Sequence, residues 1–402
     1  MSLIGLISCV KTKKAYATEA KDLYDSPLFL NSKKYAEKRL DEYYILSAKY
    51  GLVESSQIIR PYEETLNGKS KNERLIWAKD VFNKLQNLID KNDQIVFLAG
   101  EVYREFLENL LEEQKISHQS PLNKYSIGKQ LQWYNNFFLY FDRLKDIDRL
   151  YNLIEKLKDG LGVFPKLNSI DGSKILPQRG LYMFFEDDEF RMTTPFTKRI
   201  TRVGTHAVSL GSSSTLWNRL RTHRGGQDLK GNHRGSIFRL HVGNSIINKN
   251  NINLDSWGIG QNASSDIKEK EKDMEIVVSE YIGNMNFLWL NIPDEPTKFS
   301  DRSYLEKNMI ALLSTYDYEL DKASYKWLGS FNQNPFIKQS SLWNVNYVDL
   351  KYDTRFLDIL EYYVDVTIGI KTMTTNSIVP KEWHNLPRNN QQLNLLFEDE
   401  QK

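Results

Sequence analysis

Arg219 and His223 stand four residues apart in LWNRLRTH (216–223), a spacing that puts both on one face of a helix. A planar guanidinium matches two phosphate oxygens, and an imidazole moves or orients a proton. Hydrolysis of a phosphodiester uses both, together with a hard divalent cation that takes oxygen ligands, carboxylate above all. Glu306 is the candidate carboxylate. It lies beside the apolar stripe of Leu305, Met309, Leu312 and Leu313 in DRSYLEKNMIALLSTY (301–316). Tyr182 follows Gly180 in GLYMFFEDD (180–188), and a phenol can activate or orient water. Arg202 and His206 flank Gly204 in ITRVGTH (200–206), and Asn344 follows a tryptophan in SSLWNVN.

The surrounding charge is one-sided. Between 198 and 241 lie Lys198, Arg199, Arg202, Arg219, Arg221, Arg224, Lys230, Arg234 and Arg239, against the single acid Asp228. Like charges at this density repel, so a polyanion is expected against them, with Arg199, Arg221, Arg224, Arg234 and Arg239 as phosphate contacts. His206, His223, His233 and His241 share the window, but their spacing is not that of a zinc hydrolase. The 402 residues carry a net charge of only +2, so the argument is local.

These side chains need elements to hold them. The run 180–188 reads as a strand, 200–206 as its partner and 215–223 as a helix packed behind. SIFRLHVG (236–243) reads as a further strand, 251–273 as a polar loop, 284–292 as a strand and 301–316 as a helix. Ahead of them, LIGLISC (3–9), YYILSA (43–48) and QIVFLAG (94–100) are short apolar runs. Helical patterns over 32–42, 72–89 and 101–114 follow them. That alternation predicts an α/β module with a parallel sheet, whose ligands lie beyond the C-terminal strand ends. Ser8, Lys11, Lys14, Ser47, Lys49, Tyr50, Arg60, Tyr62 and Glu64 are the pocket candidates there. The expected divisions are 1–140 for this module, 141–174 for a helical linker, 175–350 for the phosphate-handling domain and 351–402 for an extension. A single cysteine, Cys9, permits no internal disulfide, and no apolar run is long enough to span a membrane. A cytoplasmic protein is expected.

GLY (180–182), RVG (202–204), the arginine helix and the later glutamate helix together resemble the GIY-YIG nuclease superfamily. The resemblance implies a C-terminal α+β nuclease domain that cleaves DNA with one divalent metal, Mg²⁺ or in its place Mn²⁺. By motif it implies Tyr182 in activation of water, Arg219 on the scissile phosphate, Glu306 as metal ligand and Asn344 as a supporting residue. Arg202 stands where the family has its second tyrosine, which leaves His206 or His223 to handle the proton. A literal YIG at 281–283 lacks an arginine helix behind it and is read as coincidence. LISCVKTKK, LYDSPLF, YYILSAKYGLV, IRPYEETL, LAGEVY and PLNKYSIGKQLQWY, all within the first 135 residues, together resemble a bacterial domain of unknown function that is similar to the peroxide-stress YaaA proteins. That implies a nucleic-acid or nucleotide pocket.

The combined expectation is a Mg²⁺-dependent endonuclease of restriction or phage-defence type, acting on double-stranded DNA with plain or modified bases. The N-terminal module would supply recognition, and two copies or two events would be needed for a double-strand cut. The alternatives are a base-releasing glycosylase joined to a nuclease, a non-catalytic DNA-binding protein, and an α/β protein whose basic patch binds protein or RNA.

Overall fold

The computed structural model describes residues 1–226 and 228–388. The chain divides into two compact units, Met1–Leu139 with Met192–Thr197, and Tyr140–Arg191 with the chain from Lys198 onward. Residues 389–402 of the expected extension lie outside the described residues.

The first unit runs β1 (Leu3–Ser8), β2 (Thr18–Glu19), α1 (Ala20–Leu23), α2 (Pro27–Arg39), β3 (Glu42–Ser47), β4 (Gly51–Glu54), β5 (Ile58–Ile59), α3 (Lys71–Gln86), β6 (Gln94–Leu98), α4 (Glu101–Glu113), β7 (His118–Gln119) and α5 (Ile127–Leu139). Its main sheet has the order β4-β3-β1-β6-β7. The pairs β1–β3, β1–β6 and β6–β7 are parallel, as the alternation of strand and helix predicts, whereas β4 folds back antiparallel on β3. The sheet is therefore mixed. The chain leaves β1 toward β3 and later leaves β6 the other way, so the ends of β1 and β6 flank the topological switch point. α3 opens with a capping box: Ser70 Oγ accepts the Glu73 N–H, and the Glu73 carboxylate accepts the Ser70 N–H.

The second unit runs α6 (Phe141–Leu161), α7 (Gly172–Ile175), β8 (Gly180–Phe190), β9 (Lys198–Thr205), α8 (Leu216–Arg224), α9 (Ile237–Asn250), α10 (Ser265–Gly283), β10 (Asn286–Asn291), α11 (Asp301–Leu313), α12 (Pro335–Ser340) and α13 (Phe356–Thr367). Three antiparallel strands in the order β10-β8-β9 form its sheet. Tyr182, Phe184, Phe287, Leu216, Leu220, Phe238, Val242, Val278 and Ile282 build one core against it.

Two expectations fail here for a common reason. Residues 236–243 are not a strand but the start of α9. The alternation of IFRLHV imitates period two, yet Phe238, Val242 and Ile246 recur every four residues and face the core. Ser236 caps this helix by accepting the Arg239 N–H. The polar run 251–273 is not loop throughout, since Ser264 caps α10 and Met274, Val278 and Ile282 carry its apolar stripe. The literal YIG at 281–283 ends this helix and lies on no strand.

Candidate active site

β8 and β9 lie against each other with Tyr182 opposite Gly204. A Cβ on Gly204 would come within 2.3 Å of the Tyr182 hydroxyl oxygen, so glycine here makes room for the ring. On the other side of β8, a Cβ on Gly180 would meet the Leu290 carbonyl oxygen at 2.1 Å. The two motif glycines thus serve close packing.

Thr215 caps α8 by accepting the Asn218 N–H, and Leu216 and Leu220 hold the helix on the core. One turn beyond Arg219, His223 is fully buried. Its Nε2 lies 2.7 Å from the Tyr182 hydroxyl and its Nδ1 2.8 Å from Ser236 Oγ. Burial, then the charges of Arg202, Arg219 and Arg239, hold His223 well below its ordinary pKa. His206 is committed as well: Nε2 accepts the Gly180 N–H at 3.3 Å, and Nδ1 lies 3.0 Å from the Ser214 carbonyl oxygen. Burial, then Arg302, lowers its pKa to about 4. Both histidines are neutral and hydrogen-bonded inside the fold, an arrangement that orients strands and helices and leaves neither nitrogen open to solvent.

Glu306 reaches the site through its helix. Arg302, paired with Asp294 and fully buried, donates to the His206 carbonyl oxygen at 3.0 Å and so ties α11 to the end of β9. One turn later Glu306 Oε1 accepts the Thr205 N–H at 3.1 Å. Burial raises the Glu306 pKa, against the opposing pull of Arg202, the Thr205 N–H and Arg219. Arg202 rests its guanidinium 4.5 Å from the centre of the Phe238 ring and donates to the Trp343 carbonyl oxygen at 2.6 Å. Asn344 clamps Val203 from the edge: its Oδ1 accepts the Val203 N–H at 3.1 Å and its Nδ2 donates to the Val203 carbonyl at 2.8 Å. It covers the open side of β9, where unpaired backbone groups would otherwise be left. The Arg219 guanidinium has no hydrogen bond or ion pair among the described residues, and its Nε is buried without a partner.

The described residues contain no group of three or more histidine, cysteine, aspartate or glutamate side chains able to hold a metal. The second carboxylate oxygen of Glu306 makes no hydrogen bond among the described residues, and a carboxylate oxygen is the donor type a hard divalent cation takes.

Residues 141–369 match the GIY-YIG domain. The chain belongs to the GIY-YIG family. The matched segment is more than half of the chain and begins at the start of α6. Residues 4–136 match a family of unknown function, DUF6884. That match is to DUF6884 and does not extend specifically to the YaaA proteins. No curated protein and no solved structure matches the chain.

Within the GIY-YIG domain the basic window is largely neutralised from elsewhere in the sequence. Arg199 pairs with Glu189 at 2.8 Å, Arg234 with Glu271 at 2.6 Å, and fully buried Arg239 with Glu275. These cations were expected to need a polyanion; carboxylates of β8 and α10, outside the window, offset their charge instead. Arg224 packs its guanidinium 4.9 Å from the Trp217 ring centre, and Arg221 is exposed. The residues that sequence reasoning missed are Ser236, Lys307 and Tyr347. Lys307 follows Glu306 and lies 5.7 Å from the centre of the Tyr347 ring. A capping signal before an apolar run could have revealed Ser236; nothing local in the sequence marks the other two.

In the first unit Ser8 ends β1 and Ser47 ends β3, and hydrogen bonds join Ser47, Tyr50, Arg60 and Tyr62 of the expected pocket. Ser47 Oγ donates to the Tyr62 hydroxyl at 2.7 Å and accepts the Tyr50 N–H, and Tyr62 shares a 2.9 Å hydrogen bond with Tyr24. Burial holds the phenols of Tyr24 and Tyr62 well above their ordinary pKa. Cys9, next to Ser8, lies 3.2 Å from the Tyr103 hydroxyl, at the switch point. Lys11, Lys49, Arg60 and Glu64 are exposed and Lys14 is half-exposed. Lys13, of the same VKTKK turn, sits 4.4 Å over the Tyr62 ring.

Proposed function

We propose that this chain is a divalent-metal-dependent endonuclease that hydrolyses DNA phosphodiesters, with the N-terminal unit supplying recognition of plain or base-modified DNA. One observation carries the reading: Glu306 is held at the end of β9 within electrostatic reach of Arg202 and Arg219, and the Arg219 guanidinium has no partner among the described residues. A half-buried guanidinium with no hydrogen-bonding or ion-pair partner is unsatisfied until an anion arrives.

In this reading Arg219 grips the scissile phosphate. Arg202 adds positive charge from its seat on Phe238, and exposed Arg221 holds a neighbouring phosphate. Glu306 would be the protein ligand of Mg²⁺ or Mn²⁺, which supplies charge neutralisation at phosphorus when bound. The Tyr182–His223–Ser236 chain fixes α8 against β8 and so aims Arg219. A restriction or phage-defence role follows from pairing a cutting unit with a recognition unit, and a likeness of the first unit to YaaA proteins belongs to the same proposal. Contacts to backbone phosphates position the duplex without reading its sequence, so the N-terminal unit is where selectivity would arise.

The test is cutting of plain and base-modified phage DNA by the full chain with Mg²⁺, beside Glu306→Ala and Arg219→Ala. A second reading, a DNA-binding protein without hydrolysis, draws on Arg202 at the position of the second family tyrosine. DNA retention with no cutting in Mg²⁺ or Mn²⁺ would favour it.

A further inference from the structure

Two tyrosines of this domain, Tyr182 and Tyr347, stand in opposite circumstances. Tyr182 is fully buried, and its hydroxyl is shared with a neutral histidine. To meet a substrate water it would have to break that bond and leave the core. Tyr347 is half-buried, and its hydroxyl makes no hydrogen bond among the described residues. Its backbone has φ of 70°, a left-handed conformation that a bulky side chain adopts only when its surroundings impose it.

Those surroundings are explicit. The Trp343 N–H donates to the Thr201 carbonyl oxygen at 2.8 Å, and Asn344 clamps Val203. Just beyond, Val348 is 1% exposed and anchors the segment in the core. Tyr347 is fixed between these two anchors, at the edge of the strand that carries Arg202 and ends at Thr205. The Lys307 ammonium lies 5.7 Å from its ring centre. The Glu306 carboxylate acts on its phenol as well, raising the pKa after burial has done so.

We infer that Tyr347 presents its hydroxyl to the scissile phosphodiester and its attacking water, the position that Tyr182 cannot reach from inside the core. This rests on the nuclease reading above. In the step, the water oxygen forms a bond to phosphorus as the bond from phosphorus to the leaving sugar oxygen breaks with its electron pair. One water proton passes to solvent, and a solvent proton completes the leaving hydroxyl. Tyr347 accepts a hydrogen bond from that water and orients it. Left-handed strain at a substrate-facing residue is then the cost of holding the hydroxyl in place before DNA arrives.

The test compares Tyr347→Phe with Tyr182→Phe and the unaltered chain in single-turnover cutting of plain and base-modified phage DNA. DNA affinity is measured for each in chelator. Tyr347→Phe is expected to slow cutting by about 10- to 100-fold, at or below the low end of the roughly 10²–10⁴-fold of a general base because Tyr347 orients the water and takes no proton, by a similar factor from pH 6 to pH 9, with affinity changed less than about threefold. A readout independent of metal and turnover is nitration of tyrosines by tetranitromethane, mapped by mass spectrometry with and without a short duplex in chelator. DNA should protect Tyr347. Cutting by Tyr347→Phe at the unaltered rate, or equal nitration of Tyr347 in both states, overturns the inference and leaves the nuclease reading standing. No cutting by the unaltered chain removes both.

Discussion

The hydroxyl of Tyr182 lies 2.7 Å from Nε2 of His223, and neither residue is exposed. Strand β8 and helix α8 are locked together there, four residues after the arginine that faces the proposed phosphate. Tyr182→Phe removes one partner and leaves an imidazole nitrogen unsatisfied in the core. The expected cost is about 1–3 kcal/mol, seen as a lower urea midpoint, with cutting reduced far less than by Tyr347→Phe. A Tyr182→Phe chain of full stability that cannot cut would reverse the two roles.

The motif glycines make a packing prediction. Gly204→Ala places a methyl group 2.4 Å from Tyr182 Cζ, on a ring with no room to retreat. Destabilisation of about 1–3 kcal/mol is expected from overpacking. Equilibrium denaturation measures it, and an unchanged midpoint would show that the strands part more easily than their contacts suggest.

Arg219 and Arg239 should respond differently although both lie in the basic window. Arg219→Ala should weaken DNA binding and lower the slope of log affinity against log salt by about one, with little change in stability. Arg239→Ala takes the guanidinium from buried Glu275 and leaves it only His233 as a partner, and a loss of about 3–5 kcal/mol is expected. Salt titrations and melting curves on both variants separate the two cases.

How much of this was legible in the sequence depends on how local the signal is. GLY, RVG, the arginine helix and the glutamate helix are short patterns with direct physical causes, and they foretold β8, β9, α8 and α11. The class of each unit also followed, because alternation of apolar runs and helical stripes is a period signal. What failed needed distant partners. The charge of 198–241 looked unbalanced because Glu189, Glu271 and Glu275 lie outside that window. His206 and His223 were candidates for proton handling because a sequence does not show Ser214 or Ser236 beside them. Nothing near Tyr347 in the sequence marks it, since the neighbouring segment is held by the Asn344 clamp on Val203, a contact across 141 positions.

Neutral buried histidines predict acid sensitivity. His206 and His241 have folded pKa values of about 4, lowered from 6.5 by burial first, and His223 shifts the same way. An unfolded chain takes up these protons near pH 6.5 while the folded chain does not. Their contribution is therefore complete above 6.5 and is lost as pH falls toward 4. Glu306, raised by burial, acts in the opposite sense, its contribution shrinking as pH rises through its folded pKa. Comparing variants isolates the histidine part: His241→Gln should flatten the fall of melting temperature between pH 6.5 and 4. An identical fall in both proteins would assign acid sensitivity to other groups.

The most direct measurement of the central claim is cutting of plain and base-modified phage DNA by the full chain and by Glu306→Ala, with Mg²⁺ and with chelator, alongside DNA affinity. Cutting is expected only in the unaltered chain with Mg²⁺, and both proteins should hold DNA equally well. Equal cutting by Glu306→Ala, or intact DNA throughout in Mg²⁺ and Mn²⁺, would contradict it.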